Sequence, residues 1–223
     1  MEKKSAPRFS PNGFSKKLAS QATSRKYANG EAIFSQGDVA NAMFRVERGN
    51  VKLEVTSKRS NKAAIAILRA GDCFGEGCCF GNARRTCTAT SIQQSTIGRV
   101  SKREMIRRLH DEPAFVRLFI SYLLLRIGRV EDDLADQLVN SSERRVARLL
   151  LQLSDFGNGS GRAPAVMNVD QGTLAQVVGT TRSRVSHFMN QFRKQGFINY
   201  NGSQRVRVHK ALLTFLLREH AAA

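Results

Sequence analysis

The chain has 223 residues, room for one large domain or two modest ones with a sizeable core. Its 36 Lys and Arg against 18 Asp and Glu give a formal net charge of +18, which favours a polyanionic partner, nucleic acid or an anionic membrane surface. The longest apolar run, LFISYLLL at 118–125, is far short of the roughly 20 residues of a membrane span. The charged, proline-broken start MEKKSAPRFSPNGFSKK does not read as a signal peptide, so the expected location is the cytoplasm, with cysteines reduced, metal-bound or packed.

Residues 1–25 are basic and rich in Ser, Pro and Lys, and read as an N-terminal arm with at most a helical turn. Over 26–110 the segments AMFRVERG, NVKLEVTS, AAIAILRAG and TATSIQQSTIGRV alternate apolar and polar residues between glycines. That pattern predicts an antiparallel β-roll of short strands.

A long helix is predicted over 111–140, capped by Asp111 with Pro113 in its first turn. Val116, Ile120, Leu123, Ile127, Val130 and Leu134 follow a heptad seam, the pattern of a helix that pairs with a twin. A second stripe, Phe115, Phe119 and Tyr122, is available to pack on the chain's own sheet. The expected result is a homodimer.

Residues 141–223 carry 12 Lys and Arg against 4 Asp and Glu. After a helix containing Val146, Leu149, Leu150 and Leu153 and the glycine-rich FGNGSGRAP, the segment QGTLAQVVGTTRSRVSHFMNQFRKQGF holds two short helices joined at Gly179. Small Ala175 allows a close crossing, and Val185 fills the space between the helices, as in a helix-turn-helix. The second helix leaves Arg182, Ser183, Arg184, Ser186, His187 and Asn190 facing outward, suited to base edges in a major groove. Thr181 is placed to cap that helix and to reach a phosphate. FINYNGSQRVRVH then reads as a hairpin around Asn201-Gly202, a wing with Arg205 and Arg207 on one face. The basic residues do not ring an exposed amphipathic helix, so double-stranded DNA is the expected partner and a membrane is not.

All four cysteines fall within CFGEGCCFGNARRTCTAT, residues 73–90. Its glycine-rich turn, Phe74-Gly75-Glu76-Gly77, presents backbone N–H groups to an anion. Arg85 can hold a phosphate, and Glu76, which a phosphate would repel, suits a sugar hydroxyl. With the Thr86 hydroxyl they make a constellation of nucleotide size. Adjacent Cys78 and Cys79 are expected to point apart, which suits a single metal badly, and no metal is expected. The histidines, His110, His187, His209 and His220, are scattered, with no nucleophile–base pairing, so no enzymatic activity is expected.

Taken together, residues 26–210 resemble the CRP/FNR family of bacterial transcription regulators. Phe74-Gly75-Glu76, then Arg85-Thr86, is similar to the phosphate-binding cassette of cyclic-nucleotide-binding domains, with Cys87 where alanine is usual. The resemblance implies an α+β fold: an N-terminal β-roll (the cyclic-nucleotide-binding jelly roll), a long central dimerisation helix and a C-terminal winged helix-turn-helix. It further implies that Gly75 and Gly77 lie in the backbone cradle, that Glu76 takes the ribose 2′-hydroxyl, and that Arg85 and Thr86 take the cyclic phosphate. The base would be met at Val130 and Glu131, where the cyclic-AMP regulator of the family carries small hydroxyl residues.

Cyclic AMP is therefore the expected effector. Cyclic GMP or dual binding is the alternative, since the Glu131 carboxylate also suits the two donors of guanine and Thr86 is similar to cyclic-GMP-preferring domains. A redox or metal sensor of the FNR type is a further alternative, although its cysteines mostly precede the β-roll, where this chain has none. In the recognition helix the family's Arg-Glu followed by a second Arg is replaced by Arg182, Ser183 and His187, which puts the usual half-site in doubt. Binding of a palindromic site by an allosteric homodimer, with RNA polymerase as a further partner, completes the expectation.

Overall fold

Strands form on the short apolar segments between glycines, and the segment that opens at Ala42 is buried at three successive positions. The computed structural model describes residues 12–57, 62–154, 166–168, 170–200 and 205–218. Two compact units divide the chain. The first, residues 1–55 and 68–131, holds β1 (Thr23–Tyr27), β2 (Ala32–Phe34), β3 (Ala42–Arg48), β4 (Val51–Thr56) and the short β6 (Cys73–Phe74), whereas β5 (Lys62–Leu68), apart from Leu68, falls in the second. After a 3₁₀ turn at Glu76–Cys79 come β7 (Thr88–Ser91) and β8 (Ser95–Ser101). Within the first unit the strands form two antiparallel sheets, ordered β1-β8-β3-β6 and β2-β7-β4. Both faces of the β3–β8 ladder are buried: Val46 lies opposite Ile97 on one face and Met43 opposite Val100 on the other.

Residues 12–25 depart from the expected arm. A helix, α1 (Asn12–Ala19), buries Phe14 and Leu18 in the core, and β1 pairs with β8 from Thr23↔Arg99 to Tyr27↔Ser95. Phe14 lies 5.1–5.3 Å, ring centroid to centroid, from Phe115, Phe119 and Tyr122, so this segment is structural despite its charge. The remaining residues of that stretch, 1–11, lie outside the described residues.

The long helix also begins differently. Residues 102–110, expected within the β-roll, form with Asp111 a helix of their own, α2 (Lys102–Asp111). Ser101 caps it, accepting from the Glu104 N–H at 3.2 Å, while the Glu104 carboxylate turns to Arg107. Asp111 therefore ends α2 and does not cap the next helix; the carbonyl of Glu112 receives the first N–H groups of α3 (Pro113–Val139). Arg108 explains the tight corner. It is 4% exposed, lies 3.9 Å over the Phe115 ring, pairs with Glu112 and donates to the Lys17 carbonyl. Phe115, Phe119 and Tyr122 of α3 are buried against the β-roll, as their spacing predicts.

The second unit packs α4 (Ser142–Leu153), α5 (Gln171–Val178), α6 (Arg182–Lys194) and α7 (Ala211–Arg218) around Val146, Leu150, Leu174, Val185 and Phe192. Its sheet joins β9 (Val166–Asn168), β10 (Ile198–Tyr200) and β11 (Arg205–Val208) in the order β10-β11-β9. The expected Asn201-Gly202 turn and the FGNGSGRAP loop lie outside the described residues. Gly179 ends α5 in the left-handed region at φ 70, where a residue without Cβ is favoured, and this sets up the turn into α6. No helix among the described residues is long and apolar enough to cross a membrane.

Candidate functional site

The β-roll and the 3₁₀ turn bring Gly75, Glu76, Gly77 and Arg85 together. Gly75 has φ 81, and a Cβ there would stand 2.7 Å from Arg85 Nη1. At Gly77 a Cβ would meet Asn82 Nδ2 at 2.5 Å. Both glycines are needed for this close approach of backbone to side chain.

Arg85 sits over a cluster of three rings, Phe34, Phe44 and Phe74, whose centroids are 5.3–5.9 Å apart. Its guanidinium carbon is 4.3 Å from the Phe34 ring centre, close enough for a cation–π contact. Nη1 donates to the Gly75 carbonyl at 3.2 Å and Nη2 to the Ala42 carbonyl at 2.7 Å. The side chain is 7% exposed, and burial lowers its pKa. An arginine stays charged under such a shift, so the cassette holds a desolvated cation.

Glu76 reaches the other way. It pairs with Arg126 of α3 at 2.8 Å, and Arg126 also donates to the Cys73 carbonyl at 3.2 Å. Burial disfavours the charge on Arg126, but Glu76 and Tyr122 outweigh it and raise its pKa. Tyr122 donates to the Cys73 carbonyl at 2.6 Å and accepts its N–H at 3.1 Å, and Arg129 pairs with Asp72 at 2.9 Å. Successive turns of α3 are thus fastened to residues 72–76. Arg126→Ala is expected to lower stability by about 1–3 kcal/mol, because Glu76 loses its partner in a half-buried setting. Chemical denaturation of the two proteins checks this.

Two buried polar atoms of the cassette, Glu76 Oε2 and Arg85 Nε, meet no hydrogen-bond partner among the described residues. Such orphans are costly in a folded protein. One is an acceptor suited to a hydroxyl and the other a donor suited to an anion, so the residues present fit a sugar phosphate. Thr86 is exposed beside Arg85. Val130 and Glu131 are exposed on α3; Val130 is one turn beyond Arg126 on the same face, and no described hydrogen bond or ion pair joins either residue to the cassette. Arg126 escapes a reading of the cassette motif alone, since it lies 50 residues beyond Glu76. Its one signal is a basic residue inside the apolar run LLLRIG.

The cysteines differ from expectation. Cys78 and Cys79, expected to diverge, have their sulfurs 3.7 Å apart within the 3₁₀ turn. Cys73 is fully buried, which pushes its thiol up to about 12. Among the described residues no three His, Cys, Asp or Glu side chains cluster as metal ligands would.

In the second unit, α6 turns Val185, Met189 and Phe192 inward and leaves Arg182, Ser183, Arg184, His187 and Asn190 exposed, with Ser186 half-buried. Thr181 caps α6, accepting from the Arg184 N–H at 3.3 Å. On β11, Arg207 is exposed between buried Val206 and Val208; Arg205 opens the same strand, two residues away. On α3 the heptad positions Ile120, Ile127, Val130 and Leu134 are 50–60% exposed, whereas Val116 and Leu123 are half-buried.

These features agree with what known proteins share with the chain. The cyclic nucleotide-binding domain family matches residues 24–112, and the Crp-like helix-turn-helix domain family matches residues 144–213. A CRP-like cAMP-activated global transcriptional regulator of Mycobacterium tuberculosis is 27% identical over 187 residues, 83% of this chain and 84% of that protein. The cyclic AMP receptor protein of Thermus thermophilus is 25% identical over 189 residues, 85% of each chain. The crystal structure of a CRP-family transcriptional regulator from Thermus thermophilus superposes with a TM-score of 0.71 at 24% identity, covering 89% of this chain and 97% of that one. These matches are to transcriptional regulators and not to enzymes. With a cyclic-nucleotide-binding β-roll, a long helix and a DNA-binding helix-turn-helix in that order, the chain belongs to the CRP/FNR family of transcription regulators.

Proposed function

We propose that the protein is a homodimeric bacterial regulator that binds cyclic AMP in the cassette of each β-roll and, so loaded, binds a palindromic DNA site. The observation that carries the effector reading is that Glu76 Oε2 and Arg85 Nε are both buried without a described partner, with Arg85 set against Gly75. A ribose hydroxyl donates to the first and the cyclic phosphate accepts from the second. Relatives named for cyclic AMP support that nucleotide. The ligand shifts the protein only by its differential affinity for two states. Here it engages Glu76, whose other carboxylate oxygen fastens Arg126 and with it α3.

The exposed stripe of Ile120, Ile127, Val130 and Leu134 supports pairing of α3 with its twin. Two recognition helices related by that pairing would read half-sites about 34 Å apart, one turn of DNA. Arg182 would bond guanine, with Thr181, Arg184 and the wing arginines on the phosphates. The cytoplasm is the compartment this activity requires, and RNA polymerase is the proposed further partner of the bound dimer.

Calorimetric titration of the full chain with cyclic AMP and cyclic GMP tests the reading. One site per chain, tighter for cyclic AMP, is expected. Tighter binding of cyclic GMP would transfer the effector assignment to the guanine edge facing Glu131 and Thr86. Heat from neither nucleotide would overturn the cassette assignment.

A further inference from the structure

We propose that Cys78 and Cys79 form a reversible oxidation site, a vicinal dithiol that a hydroperoxide closes to a disulfide and that thereby releases the nucleotide. The release half of this rests on the cassette reading above, whereas the thiol chemistry does not.

Geometry brings the pair together. Neighbouring side chains in a 3₁₀ helix project about 120° apart, so adjacent cysteines do not ordinarily meet. Here the turn at Glu76–Cys79 has their sulfurs in hydrogen-bonding contact at 3.7 Å. Cys78 is buried and Cys79 half-buried, so Cys79 is the more exposed of the two and a small oxidant would approach from its side. The hydrogen bond from Cys79 lowers the Cys78 thiol to about 7 and raises Cys79. The inner sulfur is then the nucleophile and the outer one keeps its proton.

The step balances with one hydroperoxide. The Cys78 thiolate attacks the peroxide oxygen, the O–O bond breaks, and an alcohol or water departs with a proton, leaving a Cys78 sulfenic acid. The Cys79 sulfur displaces that hydroxyl as water and the S–S bond forms. Two electrons pass from the two thiols to the peroxide. Adjacent residues hold their Cα atoms about 3.8 Å apart, closer than the usual range for disulfides, so the product is strained and readily reduced. Reversibility follows from the chain geometry itself.

Closure also reaches the nucleotide site. The sulfurs move from 3.7 Å to about 2.05 Å, and the peptide between them is drawn into the ring. The hydrogen bond from the Phe80 N–H to the Gly77 carbonyl spans that peptide, and the one from the Cys78 N–H to the Gly75 carbonyl ends on the residue that opens it. Both bonds shape the Gly75–Gly77 cradle, so oxidation and nucleotide binding oppose one another, and linkage makes the opposition mutual.

The test treats reduced full-length protein with hydrogen peroxide, blocks remaining thiols, and digests with trypsin and a glutamate-specific protease. The fragment Gly77–Arg84 then carries Cys78 and Cys79 without Cys73. The expected result is a fragment lighter by two hydrogens and unalkylated, restored by dithiothreitol, and formed about 10-fold more slowly in saturating cyclic AMP. The oxidised protein should bind cyclic AMP at least 10-fold more weakly than the reduced protein. Over-oxidation of one sulfur, pairing with Cys73 or Cys87, or bridging between chains would overturn the proposal. So would a vicinal disulfide that leaves nucleotide affinity unchanged. Formation of the disulfide in protein that binds no cyclic nucleotide even when reduced would overturn the cassette reading and the release step, and leave the dithiol chemistry standing.

Discussion

Arg85→Glu is expected to lose the fold as well as the ligand. The substitution places a carboxylate where a buried guanidinium now donates to the Gly75 and Ala42 carbonyls above three aromatic rings. An uncompensated charge among acceptors is expected to lower stability by about 3–5 kcal/mol, visible as an early denaturation midpoint. Arg85→Gln separates the two roles. Its amide still donates to one carbonyl, so the fold should survive with a smaller loss. The cyclic phosphate, however, loses a charge-assisted partner, and cyclic nucleotide affinity should fall by about 10- to 100-fold. Titration of a folded Arg85→Gln protein that shows undiminished affinity would dismiss Arg85 as the phosphate ligand.

The second large effect concerns the exposed seam of α3. Ile127 is 53% exposed, so aspartate there leaves the monomer's packing almost intact. In a helix pair the same change sets two carboxylates against each other in an apolar seam, and sedimentation should show monomers. A duplex with two half-sites should then bind about 10²- to 10⁴-fold more weakly, while a single half-site duplex binds as before. Ile127→Asp protein that stays dimeric would send the search for the interface elsewhere.

What the sequence made legible was local. The Phe74-Gly75-Glu76 and Arg85-Thr86 pattern is confined to one short stretch, from β6 through the 3₁₀ turn to the bend before β7, and the period of Val185, Met189 and Phe192 declares the recognition helix without reference to anything distant. What stayed hidden depends on partners far along the chain. Arg126 becomes a site residue only because α3 crosses beside Glu76. The segment 12–25 looks like a basic arm until Arg108, some 90 residues away, anchors the Lys17 carbonyl and Phe14 finds its three aromatic neighbours. Adjacent cysteines look divergent because regular helices and strands separate neighbouring side chains, and the 3₁₀ turn with its glycines brings the sulfurs into contact.

The Tyr122 hydroxyl has a role beyond joining helix to strand. As the last strand of its sheet, β6 has one free margin, and there the Cys73 N–H and carbonyl face no further strand. Tyr122 takes both groups and Arg126 shares the carbonyl, so the margin is already capped by side chains. Cys73 is fully buried in the cluster that holds Tyr122, so loss of that one hydroxyl would leave the Cys73 N–H unsatisfied inside the core, and the hydroxyl is what makes burial of this margin tolerable.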